Sequence, residues 1–113
     1  MAVRRSYTAI VERNVLWQGN FASEPYEAAW ASEAIFFVRA LDLSPGFEGG
    51  MAAVQISADG IHWADEGTEF QLPAAKGQVT FGKVSHFGGF LRIRGKTGGQ
   101  TAVVVLVSLA LKE

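Results

Sequence analysis

The segment spanning residues 101–111, TAVVVLVSLAL, constrains this chain more than any other. Val103, Val105, Val107, Leu109 and Leu111 recur at every second position, which puts them on one face of an extended strand. β-branched side chains with a period of two suit a pleated strand better than a helix. The run is also about half of the ~20 apolar residues that a membrane-spanning helix needs. Its opposite face, with Ala102, Val104, Leu106 and Ala110, is apolar as well. A sandwich strand that buries one face normally turns a polar one to water. The second face therefore needs a cover, either another part of the same chain or another subunit, because contiguous apolar patches mark interfaces. Val104, Leu106 and Ala110 are the candidate oligomer interface.

Glycine-bearing turns break the remaining chain into similar short segments, the pattern of an all-β sandwich or barrel. Strand composition is expected over residues 3–11, 15–21, 34–43, 51–57, 61–66 with 68–72, 78–84 and 90–96. Segment 34–43 is apolar on both faces apart from Arg39 and Asp42, which suits a central strand. In 51–57, Ala52, Val54 and Ile56 alternate with Gln55 and Ser57; in 90–96, Leu91 and Ile93 alternate with Arg92 and Arg94. No window of helical length keeps a 3.6-residue period. The nearest competitor is 24–37, where Pro25 would suit the first turn of a short helix. Asp59-Gly60 signals a hairpin, since both residues tolerate the positive φ of a type I′ turn. Thr97-Gly98-Gly99-Gln100 predicts a second hairpin leading into the last strand.

With 113 residues the chain can build one hydrophobic core, so a single β-sandwich domain over 1–113 is expected. The absence of cysteine removes disulfides, thiolate metal sites and cysteine nucleophiles together. A net charge of −1, with Arg4-Arg5 the one adjacent basic pair, argues against nucleic acid or an anionic membrane as partner. The polar start after Met1 lacks the apolar stretch of a signal peptide, so a soluble protein made in the cytoplasm is expected.

Catalytic patterns are missing. His62 and His86 do not share a metal-ligand spacing, and His62 suits a surface position. No serine sits in a Gly-x-Ser-x-Gly turn and no glycine run has the form of a phosphate-binding loop. Asp65 and Glu66 would point to opposite faces of a strand, which prevents them from acting as an acid–base pair. No catalytic residue, metal or cofactor is expected. The aromatic residues offer more. Trp17, Trp30 and Trp63 suit a core or an interface. Phe47 and Phe87 lie in glycine-rich loops with no evident core role, so Phe47, Trp63, His62 and Phe87 are the candidate ligand or partner contacts.

Ser57, Asp59, Gly60 and Trp63 form a Ser-x-Asp-Gly-x-x-Trp pattern in which the serine and aspartate side chains can bond nearby amides. It falls one residue short of the sialidase-type Asp box and occurs once. Together with Phe90-Leu91-Arg92-Ile93-Arg94 and the long apolar last strand, it resembles jelly-roll modules of the discoidin and carbohydrate-binding kind. The same succession is similar to small β-sandwich proteins of tailed phages. The resemblance covers roughly residues 34–111. It implies an antiparallel, jelly-roll-like sandwich of about eight strands. Two functions follow from it as expectations. One is a non-catalytic homo-oligomer that also meets a protein partner in a virion or other particle. The other is a glycan-binding module using loop or face aromatics.

Overall fold

The computed structural model describes residues 5–113. Among them there is no helix, and nine strands form: β1 (Ser6–Gln18), β2 (Asn20–Ala22), β3 (Tyr26–Glu27), β4 (Glu33–Leu43), β5 (Gly50–Ser57), β6 (Ala64–Gln71), β7 (Val79–Ser85), β8 (Phe90–Thr97) and β9 (Ala102–Lys112). Residues 3 and 4 of the expected first strand lie outside the described residues. All pairings are antiparallel.

The first sheet has the order β1-β9-β4-β7, and the second has β2-β8-β5-β6 with β3 also on β8. The pairing is nested: β1 with β9, β2 and β3 with β8, β4 with β7, and β5 with β6. That is a long antiparallel ribbon folded over on itself, and rolling it brings β9 against β4 and β8 against β5. The result is the two-sheet jelly roll expected from the sequence.

The alternation read from the sequence holds. Val103, Val105, Val107, Leu109 and Leu111 of β9 are fully buried, as are Phe36 and Val38 of β4, Val54 of β5, and Leu91 and Ile93 of β8. They fill the space between the sheets. Trp17 joins them and stacks on Phe21 with ring centroids 4.0 Å apart. Two strand glycines make room for rings: a Cβ on Gly82 would collide with the Phe70 ring, and one on Gly95 would collide with the Phe21 ring.

Several local expectations are corrected. Segments 3–11 and 15–21 are not separate strands; β1 runs through to Gln18, with register shifts at Val11 and Asn14, the latter at φ 58°. As expected, the stretch after Pro25 forms no helix; it forms β3 and a turn closed by Ala31 N on Ala28 O (3.0 Å). Residues 97–101 are not a hairpin, because β8 and β9 lie in different sheets. The buried Thr97 ties this crossing: its Oγ1 accepts from Gly19 N at 2.7 Å and donates to the Thr101 carbonyl at 3.0 Å. Gly19, at φ 73°, is where β1 leaves the first sheet for β2 in the second, so the β1–β2 and β8–β9 crossings share one corner.

Candidate interaction faces

The outer face of the second sheet is polar and bonded within itself. Alternation on β8 sends Arg92 and Arg94 outward. Arg94 grips Asp65 of β6 with two bonds, Nε to Oδ1 at 3.1 Å and Nη2 to Oδ2 at 2.8 Å. Gln55 of β5 donates to Asp65 Oδ1 at 3.0 Å and accepts from Arg92 Nε at 2.7 Å. Arg92 in turn lies over the Trp63 ring, 4.3 Å from its centroid. These neighbours bury Gln55 although it faces outward. The bonds from Arg94 and then Gln55 hold the Asp65 carboxyl below its usual range. Burial, and then the charge of Arg94, lower the pKa of Arg92.

The Ser57–Trp63 pattern forms a side-chain-built loop. Ser57 Oγ accepts from Asp59 N (3.2 Å) and Gly60 N (2.8 Å) and donates to Asp59 Oδ1 (2.9 Å). Asp59 Oδ1 accepts from Ile61 N and His62 N, both at 2.8 Å, and Oδ2 lies 2.7 Å from His62 Nδ1. The His62 N–H, then its ring, then Ile61 N–H and Ser57 hold the Asp59 carboxyl well below its usual range. Only Gly60 has positive φ here, 79°, so the two-residue type I′ turn is replaced. The return strand starts at Ala64, which leaves Ile61, His62 and Trp63 in the loop.

The four candidate contact residues do not converge. Phe47 is buried, 8% exposed, and packs in the core, which corrects its expected exposure. Its loop closes with Phe47 N on Ser44 O and lies where β4 ends and β9 begins. Phe87 sits at the opposite end, half-buried against the core, beside the loop that holds Trp63 and the exposed His62. The tryptophan faces are engaged: Trp17 is stacked on Phe21, Trp30 lies 4.9 Å from the Arg5 guanidinium, and Trp63 is under Arg92. No group of three metal-ligating side chains gathers among the described residues.

The outer face of the first sheet is built differently. Its register sets out four rungs: Thr8–Ala110–Ile35–Lys83, Ile10–Ser108–Phe37–Phe81, Arg13–Leu106–Arg39–Val79, and Leu16–Val104–Asp42. Leu16 (58%), Phe81 (53%), Val79 (49%) and Ile10 (44%) are exposed. Val104, Leu106, Ala110, Ile35 and Phe37 are half-buried by their strand neighbours alone, since no further sheet of the described residues lies over them. Arg13, Arg39, Asp42 and Lys83 are interspersed with this apolar surface. Sequence reasoning found the β9 residues of this face but missed Ile10, Leu16, Val79 and Phe81, which the strand order assembles from distant segments.

No protein-family model and no curated protein matches this chain. Solved structures do. The chain resembles the PBSX exported protein XepA (TM-score 0.56, 13% identity, 96% of this chain and 36% of that one). It also resembles the SPBc2 prophage-derived protein YomS (TM-score 0.59, 5% identity, 100% of this chain and 97% of that one). A third is the structure of infectious bursal disease virus, Gt strain (TM-score 0.56, 11% identity, 96% of this chain and 32% of that one). The chain thus spans about a third of the first and third of these and nearly all of YomS. At such identities the likeness is one of fold.

Proposed function

We propose that this chain is a non-catalytic structural module that assembles with copies of itself, as a component of a virion or a related particle. The observation that carries the reading is the apolar outer face of the first sheet, uncovered among the described residues, with Val104, Leu106 and Ala110 along its inner strand β9. Burying a half-exposed aliphatic surface is favourable at roughly 25 cal/mol per Å², and the interspersed charges suit the polar fringe of an interface. The shared fold of two prophage proteins and a virus structure supports the particle setting. The lack of a bare tryptophan face leaves the glycan-binding alternative without a favouring observation.

Light scattering over a wide concentration range tests it. The native chain should run well above its 12.2 kDa monomer mass, and Leu106→Lys should lower that mass by removing the outer-face contact, with its far-UV spectrum intact. A native chain that stays monomeric throughout overturns the reading. Should Leu106→Lys unfold, Leu16→Lys places the same charge at a more exposed position of the face.

A further inference from the structure

We propose that the free edge of β7 pairs with β7 of a second copy, antiparallel and across a two-fold axis, joining the two first sheets into one. The proposal rests on the reading of the chain as self-associating and adds a second contact, distinct from the outer face.

The hydrogen-bond geometry leaves this edge open. The β4–β7 ladder is bracketed by Ala40 N on Gln78 O (3.0 Å) and His86 N on Ser32 O (3.4 Å). Antiparallel pairs exchange bonds at every second position, so Thr80, Gly82 and Val84 direct their backbone groups at β4. The N–H and C=O groups of Val79, Phe81, Lys83 and Ser85 then point the other way, where no strand of the described residues is hydrogen-bonded to β7. All four residues are exposed.

The other edges are guarded by devices that block strand pairing. β1 carries register shifts at Val11 and Asn14. β6 shifts against β5 between Ala53 and Gln55, holds Gly67 at φ 116°, and carries Asp65, Glu66 and Glu69. β2 and β3 are three and two residues long. The β7 register, by contrast, runs unbroken from Glu33↔Ser85 to Arg39↔Val79. Lys83 is its single charge.

That lysine selects the register. With Gly82 opposite the partner's Gly82, Val79 faces the partner's Ser85 and Phe81 faces the partner's Lys83, and all four outward positions form bonds. Charge complementarity agrees. Lys83 Nζ already lies 5.9 Å from the Phe81 ring of its own chain, and the pairing offers it the partner's Phe81 as a second negative ring face. A slip of two residues one way would set Lys83 against the partner's Lys83, a like-charge pair that destabilises a sheet. A slip the other way leaves Ser85 without a strand residue opposite.

The cysteine-free chain allows a direct test. Residues facing each other in a hydrogen-bonded antiparallel pair have Cα atoms about 5.5 Å apart, within disulfide reach. Phe81→Cys and Lys83→Cys are made as separate chains, at exposed positions that a folded domain tolerates. Under mild oxidation their equimolar mixture should form the mixed disulfide dimer several-fold more than either chain forms its own. Equal cross-linking in all three samples overturns the pairing. So does native-chain oligomer by light scattering without mixed cross-link, a result that leaves the outer-face reading standing. A mixed cross-link that survives Leu106→Lys in both chains establishes the edge even where the face fails. A monomer with no mixed cross-link leaves the edge to a strand of a different protein and overturns the proposal.

Discussion

The outer faces of the two sheets share a backbone geometry and differ in how their side chains are satisfied. On the second sheet, Trp63, Arg92, Gln55, Asp65 and Arg94 form one connected row, each member holding the next. On the first sheet, Val104 and Leu106 stand between Leu16, Arg13, Arg39 and Asp42, and apolar side chains predominate over the four rungs as a whole without forming such a row. One face has already spent its bonding capacity inside the chain. The other leaves its apolar side chains exposed or half-buried among their own strand neighbours.

The largest expected effect breaks the difference on the first sheet. Val104→Lys with Leu106→Lys should weaken self-association by about a hundredfold, as charges at the centre of an interface do, while the melting temperature changes little. Sedimentation at several concentrations reads both the mass and its concentration dependence. A smaller effect belongs to the second sheet. Arg92→Ala removes the partner of the buried Gln55 Oε1 and bares Trp63, which should lower stability by about 1–3 kcal/mol, seen as a drop of several degrees in melting temperature. The same variant should leave association unchanged. Loss of association in Arg92→Ala would erase the distinction between the faces.

The smallest effect is one of pH. The Asp65 and Asp59 carboxyls have folded pKa values below their usual range. Such groups stabilise the folded chain fully above the unfolded carboxylate value, near pH 4, and lose that contribution as pH falls through the depressed folded values. Melting temperature should therefore decline below about pH 4, and Asp65→Asn should flatten part of that decline. Both carboxyls are exposed, so solvent keeps the effect modest.

The strands with strict alternation were legible in the sequence because one face of each meets the core: the inward residues of β9 and β8 show it along the strand, and Ala52 and Val54 show it on β5. β4 was legible as a central strand for the related reason that both its faces are largely apolar. The Ser57 and Asp59 amide bonds were also legible, being local. What escaped depends on partners far along the chain. A turn such as Thr97–Thr101 has the same residues whether it joins paired strands or crosses between sheets, and the choice is made by Thr97 bonding to Gly19. Phe47 looked exposed because its neighbours are Gly46 and Glu48, yet its loop folds over the end of the sandwich and buries it. The Gln55 row needed β5, β6 and β8 side by side before Arg92 and Asp65 could be seen to cover it.

The nested pairing also sets an order of events in time. Ser6 of β1 pairs with Lys112 of β9, so β1 has no neighbour in its sheet until β9 has also been made. Long-range β pairing of this kind folds slowly, in milliseconds to seconds. During that wait Ile10, Val15, Leu16 and Trp17 are available to the wrong strand. The bulges of β1 then gain a kinetic meaning, since a strand kinked at Val11 and Asn14 is a poor template for any partner other than β9, whose register matches the kinks.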